Sequence, residues 1–490
     1  MRIMLADFLF ALRAVNYDME NSFMKKTAFA VALLLALGTF AACGEATPPD
    51  DAVQNDPLLD ITYGEEGDKT VREQREEIKA AMDRAINTEV VWREIEEYNP
   101  TLEKYDHIKA ITYDAFEYQG QKTKVFAFVG FPEGASADSP VPGVVLIHGG
   151  GGHPYMEWVR LWNERGYAAI AMETTGYFPS EPNVGINENE NAKFVYGMHG
   201  VFLEEGYTNA PDRSYTTEYA EVEDQWAYHG LSQVILAHNI LRQDERVDSD
   251  NIGVTGISWG GVMTSQIIGY DTRFSFAIPV YGTAYLGDEM RPFREFGDPY
   301  VDALWAAERN IDNAKMPILW YVYSDDSNFG VPSYCKSYMH TKDVNAKTAL
   351  LMLPDWGHSH NSVFKTTHSF LFADWVTFGK GGFATFETLP ESREVNCKIN
   401  IPDGSSDFVR AIVYYITEPM SYSEHDKFGK GVRMYLDQHW QSSQTCLKVD
   451  IENGTVTGTI SEEAKGYYIQ LMFFSEGEMC YSSSPFVEVE

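Results

Sequence analysis

Apolar positions along the chain change period several times, and those changes outline its elements. KTVREQREEIKAAMDRAINTEVVWREIE (69–96) places apolar residues at helical spacing among charges and predicts a surface helical lead-in. Two β-like runs follow, around 107–118 and 122–131. VPGVVLIHGGGG (141–152) is an unbroken apolar strand running into glycines, EWVRLWNERG (157–166) a helix stopped by glycine, and YAAIAME (167–173) the next buried strand. EDQWAYHGLSQVILAHNILRQ (223–243) reads as a long amphipathic helix. IGVTGIS (252–258), FSFAIPVYG (274–282), PILWYVYS (317–324) and TALLML (348–353) are further strands with helical stretches between them. Such alternation with short connections predicts an α/β protein built on a doubly wound, mostly parallel sheet.

Beyond about residue 384 the period becomes two. VNCKINIP, FVRAIVYYITEP, QTCLKVDIENGTVTGTI and GYYIQLMFF alternate and are separated by turn signals such as PDG, ENG and SEG. A small antiparallel β-sandwich, immunoglobulin-like, is expected over 385–490, after a catalytic domain at 69–384.

The N-terminal 43 residues have a different texture. Met24-Lys25-Lys26 is a positive start, TAFAVALLLALGTF (27–40) an apolar core too short to span a bilayer, and Phe40-Ala41-Ala42-Cys43 resembles a bacterial lipobox. Residues 1–43 are therefore read as an export signal, with 1–23 an over-long start before Met24. Cys43 is the lipidation candidate and 44–68 a polar tether. Export to the cell envelope is the expectation, with membrane contact only through that lipid.

At 490 residues two domains and a leader fit. The formal charge of −34 sets aside nucleic acid and anionic lipid surfaces as partners, since both attract basic patches. Cys335, Cys397, Cys446 and Cys480 fit no zinc ribbon. The last three lie close enough in sequence for one disulfide in an oxidising compartment, and buried free thiols fit equally well.

The candidate chemistry begins at Gly256-Ile257-Ser258-Trp259-Gly260, a G-x-S-x-G elbow between a strand and a helix. The glycines leave room for a strained turn that lifts the Ser258 hydroxyl clear of the sheet. The Trp259 N–H and the helix N-terminus then face the same space. The glycines after His148 supply the other half of an oxyanion site, with Gly150 and Gly151 as candidates; His148 itself shapes the loop. The acid is expected after a later strand, at Tyr323-Ser324-Asp325-Asp326, where Asp326 is preferred and Asp325 is the alternative. The base is expected after the last core strand, in Gly357-His358-Ser359-His360, with His358 preferred and His360 the alternative. A His-x-His pair can also bind metal, but no third ligand lies at a suitable spacing, so neither metal nor cofactor is implied. Aromatic residues between Glu173 and Glu223 (Tyr177, Phe178, Phe194, Tyr196, Phe202, Tyr207, Tyr215, Tyr219) and His199 are expected either to wall the site or to pack the insertion.

EWVRLWNERGYAAIAMETTG, WAYHGLSQVILAHNILR, VTGISWGG…DTRFSFAIPVYG and PILWYVYSDDSNFGVPSYCKSY resemble secreted bacterial α/β-hydrolases of the dienelactone-hydrolase and acetylxylan-esterase-like group, over about 140–375. The resemblance implies an α/β-hydrolase fold with the triad order Ser258, Asp326, His358, and hydrolysis of carboxylic esters on carbohydrates, acetyl esters foremost. Its members carry G-T-N-D where this chain has Tyr323-Ser324-Asp325-Asp326, a departure that bears on substrate more than on the triad. A serine peptidase with the same triad and a non-catalytic glycan-binding surface lipoprotein are the alternatives. A cysteine-dependent dienelactone hydrolase is set aside by the serine at 258.

Overall fold

A computed structural model describes residues 57–60, 62, 69–150, 152–176, 178, 207–208, 221–286, 299–326, 328–354, 356–364, 366–402, 409–420, 422–424, 433–435 and 440–489. Its centre is a ten-stranded sheet formed by β1 (Trp92–Glu94), β2 (Ile108–Tyr118), β3 (Gln121–Gly130), β4 (Val141–Ile147), β5 (Ala168–Met172), β6 (Tyr207–Thr208), β7 (Val247–Ile257), β8 (Ala277–Val280), β9 (Leu319–Tyr323) and β10 (Ala349–Leu353). The order is β1-β2-β3-β5-β4-β7-β8-β9-β10, with the short β6 beside β3. From β5 to β10 every neighbour is parallel, whereas β1, β2 and β3 meet antiparallel and β3 meets β5 antiparallel. This is the α/β-hydrolase sheet.

The parallel strands are buried on both faces, which explains their unbroken apolar runs. Helices cover them: α1 (Val71–Ile86), α2 (Met156–Glu164), α3 (Trp226–Gln243), α4 (Trp259–Ile267), α5 (Pro299–Trp305), α6 (Val331–Thr341), α7 (His360–Phe364) and α8 (His368–Phe378).

Two sequence expectations are corrected here. The charged lead-in is helical only over Val71–Ile86, and the chain then joins the sheet edge as β1. That helix starts with a capping box in which Thr70 N–H donates to Glu73 Oε2 (2.8 Å) and Glu73 N–H to Thr70 Oγ1 (3.2 Å). Its stripe of Val71, Ile78, Met82 and Ala85 is buried. The second correction follows from the first. α3 has no solvent face, because every residue from Trp226 to Leu241 is buried. α1 lies over it, and Asn239 Nδ2 donates to the carbonyls of Ala85 and Thr88, each at 2.8 Å.

The C-terminal strands are all antiparallel. One sheet runs β11 (Thr385–Phe386), β12 (Glu394–Asn400), β18 (Thr455–Thr459), β17 (Leu447–Asp450). The other runs β16 (Gln441–Ser443), β13 (Arg410–Ile416), β19 (Gly466–Ser475), β20 (Glu478–Ser483), with β21 (Val487–Glu488) also on β19. β14 (Tyr422–Glu424) and β15 (Arg433–Tyr435) form a separate ladder. β12 alternates strictly, turning Val395, Cys397 and Ile399 inward. β19 is buried almost throughout, because the β19–β20 hairpin also covers the open edge of the hydrolase sheet. There Ser483 Oγ accepts the Met352 N–H (3.0 Å) and Gln470 Nε2 donates to Met352 O (2.8 Å). Side chains thus stand in for a missing neighbouring strand on β10. Cys335, Cys397, Cys446 and Cys480 are all free thiols.

Candidate active site

The crossover between β4 and β5 places β7 at the middle of the parallel sheet, and Ser258 follows its carboxyl end directly. Ser258 has φ 59° and ψ −119°, a conformation that costs a residue with a side chain roughly 1–3 kcal/mol. Close packing holds it there. A Cβ on Gly256 would lie 2.1 Å from Gly260 O, and a Cβ on Gly260 would lie 2.1 Å from Ile147 O. The elbow therefore seats only glycine at these two positions. Ser258 N–H is committed to Val280 O at 2.8 Å, and Ser258 O accepts the first helical bond from Val262 (2.9 Å). The hydroxyl does not cap α4; it points to His358.

Two more strand-end loops meet it. Ser258 Oγ lies 2.9 Å from His358 Nε2, and His358 Nδ1 lies 2.6 Å from Asp326 Oδ2. Asp326, after β9, is only 4% exposed and well supported: Oδ1 accepts the N–H groups of Asn328 (2.8 Å) and Phe329 (3.2 Å), and the Tyr334 hydroxyl reaches Oδ2 at 3.3 Å. A buried carboxylate with several donors stays in place and receives the imidazole N–H. Asp325 sits half-buried beside it, outside this line.

His360 goes elsewhere. Its Nε2 accepts the Gly149 N–H at 3.1 Å, so the second histidine of the pair joins the base loop to the glycine loop. Burial first, then the nearby His148 and His358, push its pKa down to about 3, leaving Nε2 unprotonated as an acceptor. Gly149 packs against the elbow: a Cβ there would be 2.8 Å from Ile257 O and 3.1 Å from Ser258 Cβ. The Gly149 N–H is thus committed to His360, and the next residue, Gly150, is exposed. Gly151 lies outside the described residues. Trp259, half-buried, begins α4 and contributes its first N–H.

His148 shapes this loop. Its Nδ1 bonds Gly149 O (2.8 Å), while its Nε2 meets Thr174 N–H (3.2 Å) and lies 3.3 Å from Glu173 Oε1. Burial raises the Glu173 pKa, but His148 and the Thr175 donors outweigh it and hold the carboxyl below its ordinary value. Glu173 has no signal in the sequence beyond its place at the end of β5. Of the aromatic wall, Phe178 packs edge-on against Tyr98 (5.0 Å) and Phe126 (5.2 Å). Tyr177, Phe194, Tyr196, His199, Phe202, Tyr215 and Tyr219 lie outside the described residues, as do Cys43 and the rest of 1–56. Only the backbone of Tyr207 is described. Among the described residues no group of three His, Cys, Asp or Glu is placed to hold a metal ion.

A strained serine at an elbow, bonded to a histidine that is bonded to a buried aspartate, on this sheet, defines a serine hydrolase of the α/β-hydrolase fold. Residues 212–373 match the model of the prolyl oligopeptidase family. Dipeptidyl-peptidase 5 of Aspergillus oryzae is 25% identical over 170 residues, 33% of this chain and 19% of that protein. The uncharacterized peptidase YuxL of Bacillus subtilis is 21% identical over 245 residues, 46% of this chain and 32% of that one. The chain thus spans about a fifth to a third of the length of these relatives. Among solved structures, the acetyl xylan esterase from Paenibacillus sp. R4 aligns with 15% identity and a TM-score of 0.41, covering 64% of this chain and 95% of its own. The acylaminoacyl peptidase of Pyrococcus horikoshii aligns with 16% identity and a TM-score of 0.40, covering 56% and 43%.

Proposed function

We propose that the protein is a serine esterase whose nucleophile is Ser258, base His358 and orienting acid Asp326. The observation that carries this reading is the continuous hydrogen-bonded line from hydroxyl to imidazole to carboxylate. As Ser258 Oγ attacks an acyl carbonyl, its proton passes to His358 Nε2, and Asp326 steadies the imidazolium through Nδ1. The N–H groups of Trp259 and the Gly150–Gly151 stretch receive the oxyanion, each such donor being worth about 10²–10³ in rate. Collapse breaks the ester bond, and His358 returns the proton to the departing alcohol. Water, deprotonated by the same histidine, then attacks the acyl-enzyme and releases the acid.

The substrate we assign is an acetyl ester of a carbohydrate, on the resemblance of the segments around Ser258 to acetylxylan-esterase-like proteins. The apolar stretch before Cys43 and its lipobox-like residues support export and attachment to the cell envelope by a lipid on that cysteine. A second reading, a serine peptidase, is favoured by the match of 212–373 to the prolyl oligopeptidase family.

Acetate release from acetylated xylo-oligosaccharides, compared with cleavage of aminoacyl p-nitroanilides, separates the two. The ester reading expects acetate release by the wild type and none by Ser258→Ala. Faster anilide cleavage replaces it with the peptidase reading, and no turnover of either class by folded protein contradicts both.

A further inference from the structure

Tyr281 belongs to the site but has no part in the chemistry described above. It follows β8 with φ 51°, in the left-handed region that a tyrosine occupies only when its surroundings hold it there. Its backbone N–H is fixed to Tyr321 O on β9 at 3.0 Å, and its ring is fully buried. From this anchored position the side chain reaches the base in two ways. The hydroxyl donates to Gly357 O at 2.6 Å, one residue before His358, where the backbone is also left-handed at φ 90°. The ring stacks against the His358 imidazole, with centroids 4.6 Å apart and planes 25° apart. Phe329 provides a second near-parallel ring at 5.9 Å and 11°.

We propose that Tyr281 is a positioning residue for His358: its hydroxyl fixes the main chain that presents the base, and its ring face stabilises the imidazolium that forms when His358 takes the Ser258 proton. The inference rests on the hydrolase reading of Ser258 and His358. The neutral imidazole of the resting site gains little from an aromatic face, whereas the cation formed in the transition state is attracted to it, more strongly where water is excluded. An interaction that grows only on the way to the transition state appears in kcat and leaves KM nearly unchanged. The tyrosine keeps its proton throughout, since burial, then the neighbouring Tyr321 and Asp326, push its ionisation far above the ordinary range.

Two replacements separate the hydroxyl from the ring in the full chain. Tyr281→Phe keeps the ring and removes the hydroxyl, with its bond to Gly357 and its contacts with Ser359 and Ser362 on the same loop. Replacement of Tyr281 by pentafluorophenylalanine keeps the shape of phenylalanine but abolishes the negative ring face. With p-nitrophenyl acetate, Tyr281→Phe is expected to lower kcat about two- to fivefold with KM within about twofold. The fluorinated ring is expected to lower kcat about fivefold or more below Tyr281→Phe and to slow fluorophosphonate labelling of Ser258 in parallel. Equal kcat for the two variants, or a loss confined to KM, overturns the stacking role; wild-type kcat in Tyr281→Phe overturns the tether. A wild type that neither hydrolyses the ester nor labels at Ser258 overturns the hydrolase reading and this inference together, whereas an active wild type with indifferent variants overturns this inference alone.

Discussion

The central sheet and the C-terminal sheets solve the burial problem differently. In the parallel sheet, strands such as β5 and β10 are apolar on both faces and sit between helices, so polar side chains gather in the loops at strand ends. Ser258, Asp326 and His358 each follow the carboxyl end of such a strand. In the C-terminal sheets, β12 hides one face and shows the other to water, and among the described residues the hydroxyl of Ser258 is bonded from the hydrolase sheet's own loops, by His358. Their link to the site is indirect: Gln470 and Ser483 hold the main chain of Met352 in β10, the strand that leads into the loop bearing His358. One region carries the proposed reacting groups. The other completes the edge from which one of them departs.

The contrast can be broken most sharply at the acid. Asp326→Asn should lower kcat about 10⁴-fold, because an amide leaves the imidazole in the wrong tautomer, while Asp325→Asn should stay within a few-fold of wild type. Steady-state ester kinetics on the pair give the answer, and equal losses would move the acid off Asp326. Next in size is His360→Leu. Without an acceptor for the Gly149 N–H the glycine loop loses its tie to the base loop, and kcat should fall by about 10²-fold, the scale of one oxyanion donor, with His360→Gln restoring part of it.

Smaller effects are expected where the C-terminal sheet meets β10. Gln470→Leu leaves Met352 O without its 2.8 Å donor in a buried place and should destabilise the protein by about 1–3 kcal/mol in a urea melt, with kcat little changed. A large fall in kcat at unchanged stability would instead make the hairpin part of the site. The last test is pH, which involves neither the triad nor the sheet edge. His229 and His368 are buried, and burial lowers both to about 4, against about 6.5 in the unfolded chain. The unfolded state therefore takes up more protons as the pH drops. Stability is fully present above about 6.5 and is lost between there and about 4, at up to about 1.4 kcal/mol per pH unit for each histidine. Tm should decline from pH 7.5 to 5, and a flat profile would mean that these histidines are not held neutral.

How much of this was legible in the sequence depended on how local the cause was. The parallel strands could be placed because their burial on both faces is written into adjacent residues. Ser258 could be placed because the glycines around it answer to contacts within the elbow and with Ile147. α3 was misread as amphipathic because its cover, α1, lies about 150 residues earlier. His360 and Tyr281 were ambiguous or missed for the same reason: their partners, Gly149 and Gly357, stand 211 and 76 residues away, and no spacing rule connects them.

The proposed chemistry stands on the activation of the Ser258 hydroxyl by His358. The most direct measurement is covalent labelling of the full chain by a fluorophosphonate, with the modified peptide mapped by mass spectrometry. One adduct is expected, on Ser258, that vanishes in Ser258→Ala and forms at least about 10³-fold more slowly in His358→Ala. An adduct on another serine, or a Ser258 that reacts as fast without the histidine, would contradict it.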